Sequence, residues 1–164
     1  MRNNDEAYIL HAGRIQPRIY NLKEATMYPE TLVMPIEAEL TEVGFTALKT
    51  SQEVAEHFTN HEGSTLLVIN SMCGCAGPDA RLGVIQALAT SQKLPQHLVT
   101  IFAGVDEGAA GKAKEYIKPY LLSSPAIALI KNGSVVHFIE RHQIKRRPVD
   151  MLATKLGAAL EQYC

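Results

Sequence analysis

Apolar positions along the chain switch between two spacings. Leu32, Ile36, Leu40 and Val43 recur every three or four residues, which predicts a helix over Pro29–Val43 with that set inward. Pro29 suits a first turn and Gly44 the position just past the end, while Pro35 is a place for a kink. Thr50 and Glu53 have the spacing of a capping box, so a short helix follows with Val54, Ala55 and Phe58 inward. Leu66–Asn70 is instead an unbroken apolar run, which predicts a strand buried on both faces. Next come a helix over Asp79–Ser91, with Ala80, Val84, Ala87 and Leu88 on one face, and a second buried strand over His97–Ala103. Gly108–Ile117 reads as a helix that Pro119 stops. Lys131-Asn132-Gly133 separates two apolar runs, Ala126–Ile130 and Ser134–Ile139. Asn-Gly tolerates positive φ at both central positions and predicts a hairpin there. The last helix spans Val149–Gln162, with Leu152, Leu156, Ala159 and Leu160 inward.

From Leu66 onward the order is therefore β-α-β-α-β-β-α. Strands joined through helices pair in parallel, and a hairpin adds antiparallel strands. That order is the thioredoxin core. The expected class is α/β: a thioredoxin-like fold with a central mixed β-sheet flanked by helices and with N-terminal helical additions. Residues 1–26 are polar and weakly patterned, and are expected to be a loosely attached extension to a domain over 27–164.

Composition narrows the function more than the fold. A chain of 164 residues with 46% apolar content is expected to be one domain with a real core. Its formal net charge of −1 gives no reason to expect a nucleic-acid or membrane-surface partner. No apolar run approaches the roughly 18 residues of a membrane span, and the N-terminal stretch has no apolar signal core. Three cysteines, two of them nearly adjacent, make a poor disulfide framework and fit reactive thiols in a reducing compartment. The expected location is the cytoplasm.

Those two cysteines are the candidate chemistry. Cys73-Gly74-Cys75 follows a buried strand and precedes a helix. A thiol attacks only as thiolate, and a helix start supplies partial positive charge and free N–H groups. Cys73 is the expected nucleophile. Arg81 lies two turns on and adds positive charge if its side chain folds back, or else is a solvated helix charge. A disulfide needs Cα atoms roughly 4.4–6.8 Å apart, and residues i and i+2 meet only in a tight turn, which Gly74 permits. The spacing favours a transient disulfide or a single-thiol mechanism over a permanent bridge. Before the third strand stands Ser123-Ser124-Pro125. In a thioredoxin-type core a cis proline at that point sits beside the attacking thiol, and the adjacent backbone binds substrate. His137 is expected to be structural. Cys164 is a terminal thiol that is either merely exposed, or an auxiliary resolving thiol or metal ligand. Zinc sites pair their ligands, and the second pair is missing, so no metal site is expected.

Taken together, several segments resemble the bacilliredoxin family. They are Asn70-Ser71-Met72-Cys73-Gly74-Cys75-Ala76, Ala80-Arg81, Thr100–Gly104, Ser123-Ser124-Pro125, Val135–Ile139 with Arg141-His142, and the terminal Cys164. The resemblance runs from about Met27 to the end. It implies a thiol–disulfide oxidoreductase that removes bacillithiol from proteins modified during oxidative stress. Cys73 would attack the mixed disulfide, Cys75 would be a candidate resolving thiol, and Gly74, Arg81, Ser124 and Pro125 would contact substrate. Arg81 would anchor the carboxylates of bacillithiol. The resemblance implies no bound cofactor. Bacillithiol would be the co-substrate, kept reduced by a separate flavin-dependent reductase, and bacillithiolated proteins would be the partners. Gly77-Pro78 and Leu82 depart from the family pattern, which bears on where the helix starts. The competing readings are a general protein disulfide reductase or isomerase, a soft-metal module using Cys73, Cys75 and Cys164, and a redox-inactive interaction domain.

Overall fold

The computed structural model describes residues 28–60 and 62–164, together with the backbone of two short N-terminal strands. These strands, β1 (Ile9–His11) and β2 (Arg14–Gln16), pair antiparallel in a small sheet of their own. The rest of the segment read as an extension lies outside the described residues.

The central strand is β4 (Ser64–Asn70), buried at every position. It pairs in parallel with β5 (His97–Phe102) and antiparallel with β6 (Ala126–Lys131). Outside these lie β3 (Thr46–Ala47), parallel to β5, and β7 (Ser134–Ile139), antiparallel to β6. The sheet order is β3-β5-β4-β6-β7, a mixed sheet between helices as expected for the thioredoxin-like class, with β3 as an unforeseen edge strand. Because side chains alternate along a strand, β4 feeds two cores. Leu66 and Val68 join the side covered by α3 (Gly77–Thr90) and α6 (Val149–Tyr163). Leu67 and Ile69 join the side covered by α2 (Ser51–Asn60) and α4 (Glu107–Ala113). The hairpin between β6 and β7 turns through Asn132 at φ 49° and Gly133 at φ 79°, the two positive values that Asn-Gly was expected to supply.

Local chemistry explains the start of α2 but not the face that the first long helix buries. At α2, Thr50 N donates to Glu53 Oε2 (2.8 Å) and Glu53 N donates to Thr50 Oγ1 (3.1 Å), closing the capping box. The first long helix, α1 (Glu30–Thr41), is rotated from the expected face. Val33 and Leu40 are buried, whereas Leu32 and Val43 are exposed. The helix lies against α3 and β3, and that contact selects the Val33–Leu40 stripe. Pro35 sits within it without ending it.

The register shows which loops share one end of the sheet. Asn70 pairs with Phe102, and Ile69 with Ala126. The segments just after β4, just after β5 and just before β6 therefore emerge together. Asp106, on the second of these loops, is half-buried. Burial pushes its carboxyl up to about 6; Glu37 and Glu53 add to the rise, while Lys49 and the backbone at Phe102 oppose it. A raised carboxyl favours folding in its protonated form. That contribution is complete below the ordinary value of 3.8 and is lost as pH climbs through about 6. Asp106→Asn should therefore raise the thermal midpoint at pH 8 and change it little at pH 4, as read by unfolding curves at both values.

Candidate active site

The thiol loop is held from beneath by buried polar contacts. Asn70 ends β4 with its side chain buried, and its Oδ1 accepts from Ser71 N (2.9 Å) and Arg81 Nη1 (3.1 Å). The Ser71 hydroxyl accepts from Cys73 N at 3.1 Å. The Cys73 carbonyl in turn accepts from Gly77 N at 2.8 Å. Cys73 is thus fixed on both sides of its Cα. Helix α3 begins at Gly77, earlier than the expected Asp79, with Pro78 in the first turn where a missing N–H is harmless. Gly77 itself answers a close approach: a Cβ there would lie 2.7 Å from the Ser71 carbonyl oxygen. The helix start presses directly on the loop.

Cys73 and Cys75 are joined as a disulfide with Cα atoms 5.4 Å apart. Cys73 is half-buried, while Gly74 and Cys75 are exposed. Gly74 is not in the left-handed region, and a Cβ there would meet nothing within 4 Å. The turn therefore closes without the conformational freedom expected of it, and Gly74 leaves open space where a side chain would stand.

The cation beside the sulfurs is Arg141. It opens α5 (Arg141–Ile144), a single turn after β7. Its Nη2 donates to Cys73 Sγ at 3.3 Å and to Cys75 Sγ at 3.5 Å. The turn is rigid because Glu140 and Gln143 form a reciprocal capping box, with Glu140 N donating to Gln143 Oε1 at 2.9 Å. Arg141 N also donates to Ser123 Oγ (3.4 Å), tying the segment before β6 to the same place. Sequence reasoning missed Arg141 as a site residue. Its signal was the Arg-His pair directly after the last strand, which topology carries to the thiols but spacing alone does not.

Arg81 stands elsewhere than expected. Its side chain is 5% exposed and pairs with Glu39 through Nε–Oε2 at 2.6 Å, besides binding Asn70. It holds the floor of the thiol loop and makes no hydrogen bond to either sulfur, so it is neither a folded-back charge on the thiols nor an open carboxylate anchor. Pro125 follows a cis peptide bond, as the fold led us to expect, and Lys118–Pro119 is a second cis bond. Pro125 directly precedes Ala126, which pairs with Ile69, so Ser124 and Pro125 lie at the thiol end of the sheet. Cys164 is at the other end. Lys131, which pairs with Ser64 at the start of β4, donates from Nζ to the Tyr163 carbonyl at 2.5 Å. Seven residues of β4, about 20 Å of strand, separate that end from the thiol loop. Cys164 is therefore not placed to resolve a disulfide on Cys73, and Cys73, Cys75 and Cys164 do not converge as a metal set. His137 is half-buried on β7, and burial with Lys155 nearby pushes its imidazole below the ordinary value. No helix among the described residues is long and apolar enough to cross a membrane.

A guanidinium within hydrogen-bond reach of two sulfurs favours thiolate once the disulfide is reduced. In the reduced protein, Arg141→Met should move the pH midpoint of Cys73 alkylation up by about one unit. Arg141→Lys should retain part of the effect. Iodoacetamide rates from pH 5 to 9 would measure both, and an unmoved midpoint in Arg141→Met would contradict the assignment.

A family model described as disulphide isomerase matches residues 28–164. A bacilliredoxin from Cytophaga hutchinsonii is 55% identical over 136 residues, covering 83% of this chain and 99% of its own. The chain belongs to the bacilliredoxin family. A Bacillus cereus bacilliredoxin is 44% identical over 137 residues, covering 84% of this chain and 95% of its own. Among solved structures, a Fasciola hepatica thioredoxin is 17% identical with a TM-score of 0.49, covering 73% of this chain and all of its own. With a bacilliredoxin sequence built around a thiol pair on a thioredoxin-like fold, the chain is a thiol–disulfide oxidoreductase.

Proposed function

We propose that this chain reduces bacillithiol–protein mixed disulfides in the cytoplasm, with Cys73 as the attacking thiolate. The observation that carries the reading is a thiol pair already within disulfide reach and bridged by the Arg141 guanidinium. Cys73 is preferred over Cys75 because its amide and carbonyl are both fixed, which holds its sulfur in one place for attack. The Cys73 thiolate attacks the bacillithiol sulfur of the mixed disulfide. The S–S bond to the client protein breaks, the client leaves as a thiolate and takes up a proton, and bacillithiol stays on Cys73. A second bacillithiol thiolate, or Cys75, then attacks that new disulfide and frees Cys73 or bacillithiol respectively. The first route yields bacillithiol disulfide; the second leaves a Cys73–Cys75 disulfide, which two bacillithiol thiols reopen while leaving as that same disulfide, and a separate flavin-dependent reductase returns bacillithiol disulfide to thiols. Gly74 leaves room for the incoming chain, and the backbone at Ser124 and Pro125 lies beside it.

The test uses a client protein carrying either bacillithiol or glutathione in mixed disulfide. Mass spectrometry of the Cys75→Ser variant should show a bacillithiol adduct on Cys73, formed at least about tenfold faster than the glutathione adduct. Equal rates would overturn the bacillithiol assignment. The matching family model, described as disulphide isomerase, favours a second reading, general protein disulfide exchange. It requires reactivation of a client with scrambled disulfides at a rate independent of bacillithiol.

A further inference from the structure

Arg141 belongs to two features at once. It touches both sulfurs, and it lines a recess of about 380 Å³ shared with Leu121, Ser123, Glu140, His142 and Lys145. This volume lies in the range of small-molecule sites. The recess is cationic. Glu140 is its one carboxylate, and it is engaged by the α5 capping box and by His142 Nδ1 at 3.0 Å. Arg141 and Lys145 outnumber that carboxylate, which leaves an excess of positive charge on the lining. Leu121, 83% exposed, adds an apolar side chain to the lining. Ser123 adds a hydroxyl that already accepts from Arg141 N.

We propose that this recess binds the carboxylate-bearing part of a small thiol while its sulfur is joined to Cys73, with Lys145 as a specificity residue. The proposal rests on the reading of Cys73 as the sulfur that carries a small thiol. It replaces Arg81, whose buried pairing with Glu39 leaves it no open face for a carboxylate. It makes the thiol pocket selective for charge, independently of which carboxylated thiol the cell supplies.

The experiment compares two mixed disulfides of one client peptide, one with mercaptosuccinate and one with mercaptoethanol. The measured quantity is the ratio of kcat/KM for the first to that for the second. The wild-type protein should favour mercaptosuccinate, and this preference should shrink as salt is added. Lys145→Glu reverses one exposed charge and should lower the ratio about fivefold, chiefly through KM, while Lys145→Arg should keep it. A wild-type ratio of one or less overturns the proposal, as does a Lys145→Glu ratio within twofold of the wild type. Failure of the bacillithiol reading looks different: the mercaptosuccinate preference and its Lys145 dependence persist, but bacillithiol shows no advantage over glutathione.

Discussion

Cys73→Ser is expected to abolish turnover of mixed-disulfide substrates, a loss of at least ~10³-fold in kcat/KM. The hydroxyl keeps the shape of the side chain and its loop contacts, since those run through the Cys73 amide and carbonyl rather than the sulfur. What disappears is the nucleophile. Cys75→Ser should behave differently. It leaves Cys73 and the Arg141 contact to it in place, so the first attack should proceed within a few-fold of the wild-type rate and stop at a stable Cys73 adduct when no free small thiol is present. Adding the small thiol should restore turnover. Stopped-flow release of the client thiol, paired with intact-mass analysis, separates the two steps. If Cys75→Ser instead loses the first attack and Cys73→Ser keeps it, the roles are reversed. The exposure of Cys75 makes that a real contest, and the fixed backbone of Cys73 is the reason for the expected order.

The fold was legible where one local signal decided each element. β4 carries the unbroken apolar run Leu66–Ile69, Thr50 and Glu53 have capping-box spacing, and Asn132-Gly133 carries its turn in its own chemistry. Less was legible where a neighbour decides. The rotation of α1 depends on α3 and β3, so Leu32 reads as inward and stands exposed. β3 has two residues and no periodicity to detect. α5 is one turn long, below the length at which helical spacing can show. The same division runs through the site. Cys73, Cys75 and Pro125 are marked by residue type and order along the chain. The guanidinium at the sulfurs is not, because Arg81 is near them in sequence while Arg141 is 68 positions from Cys73 and reaches it only through the β6–β7 hairpin. Proximity along a helix favoured Arg81, and burial against Glu39 removes it from the surface.

That burial leads to the second large effect, on stability. Glu39→Ala should destabilise the fold by about 2–3 kcal/mol, a thermal midpoint lower by very roughly 5–10 °C. The reason is asymmetry. Glu39 is 43% exposed and loses little on solvation, but without it the Arg81 charge stays buried with only the Asn70 side chain and the Ser71 carbonyl as acceptors. Replacing the cation should be milder. Arg81→Met removes the buried charge along with its partner contact, fills similar volume, and leaves Glu39 free to hydrate, so about 1 kcal/mol is expected. The double variant should then recover most of what Glu39→Ala loses, a coupling that thermal or urea unfolding of the four proteins measures directly. Additive losses would show that the pair is not the unit described. Arg81 also holds Asn70, and Ser71 positions the Cys73 amide, so loosening this floor should reach the chemistry. Arg81→Met should slow the first attack on a mixed disulfide several-fold even at temperatures where the protein remains folded. The exposed half of the site would be intact in that variant, which makes the rate a readout of how rigidly β4 presents Cys73.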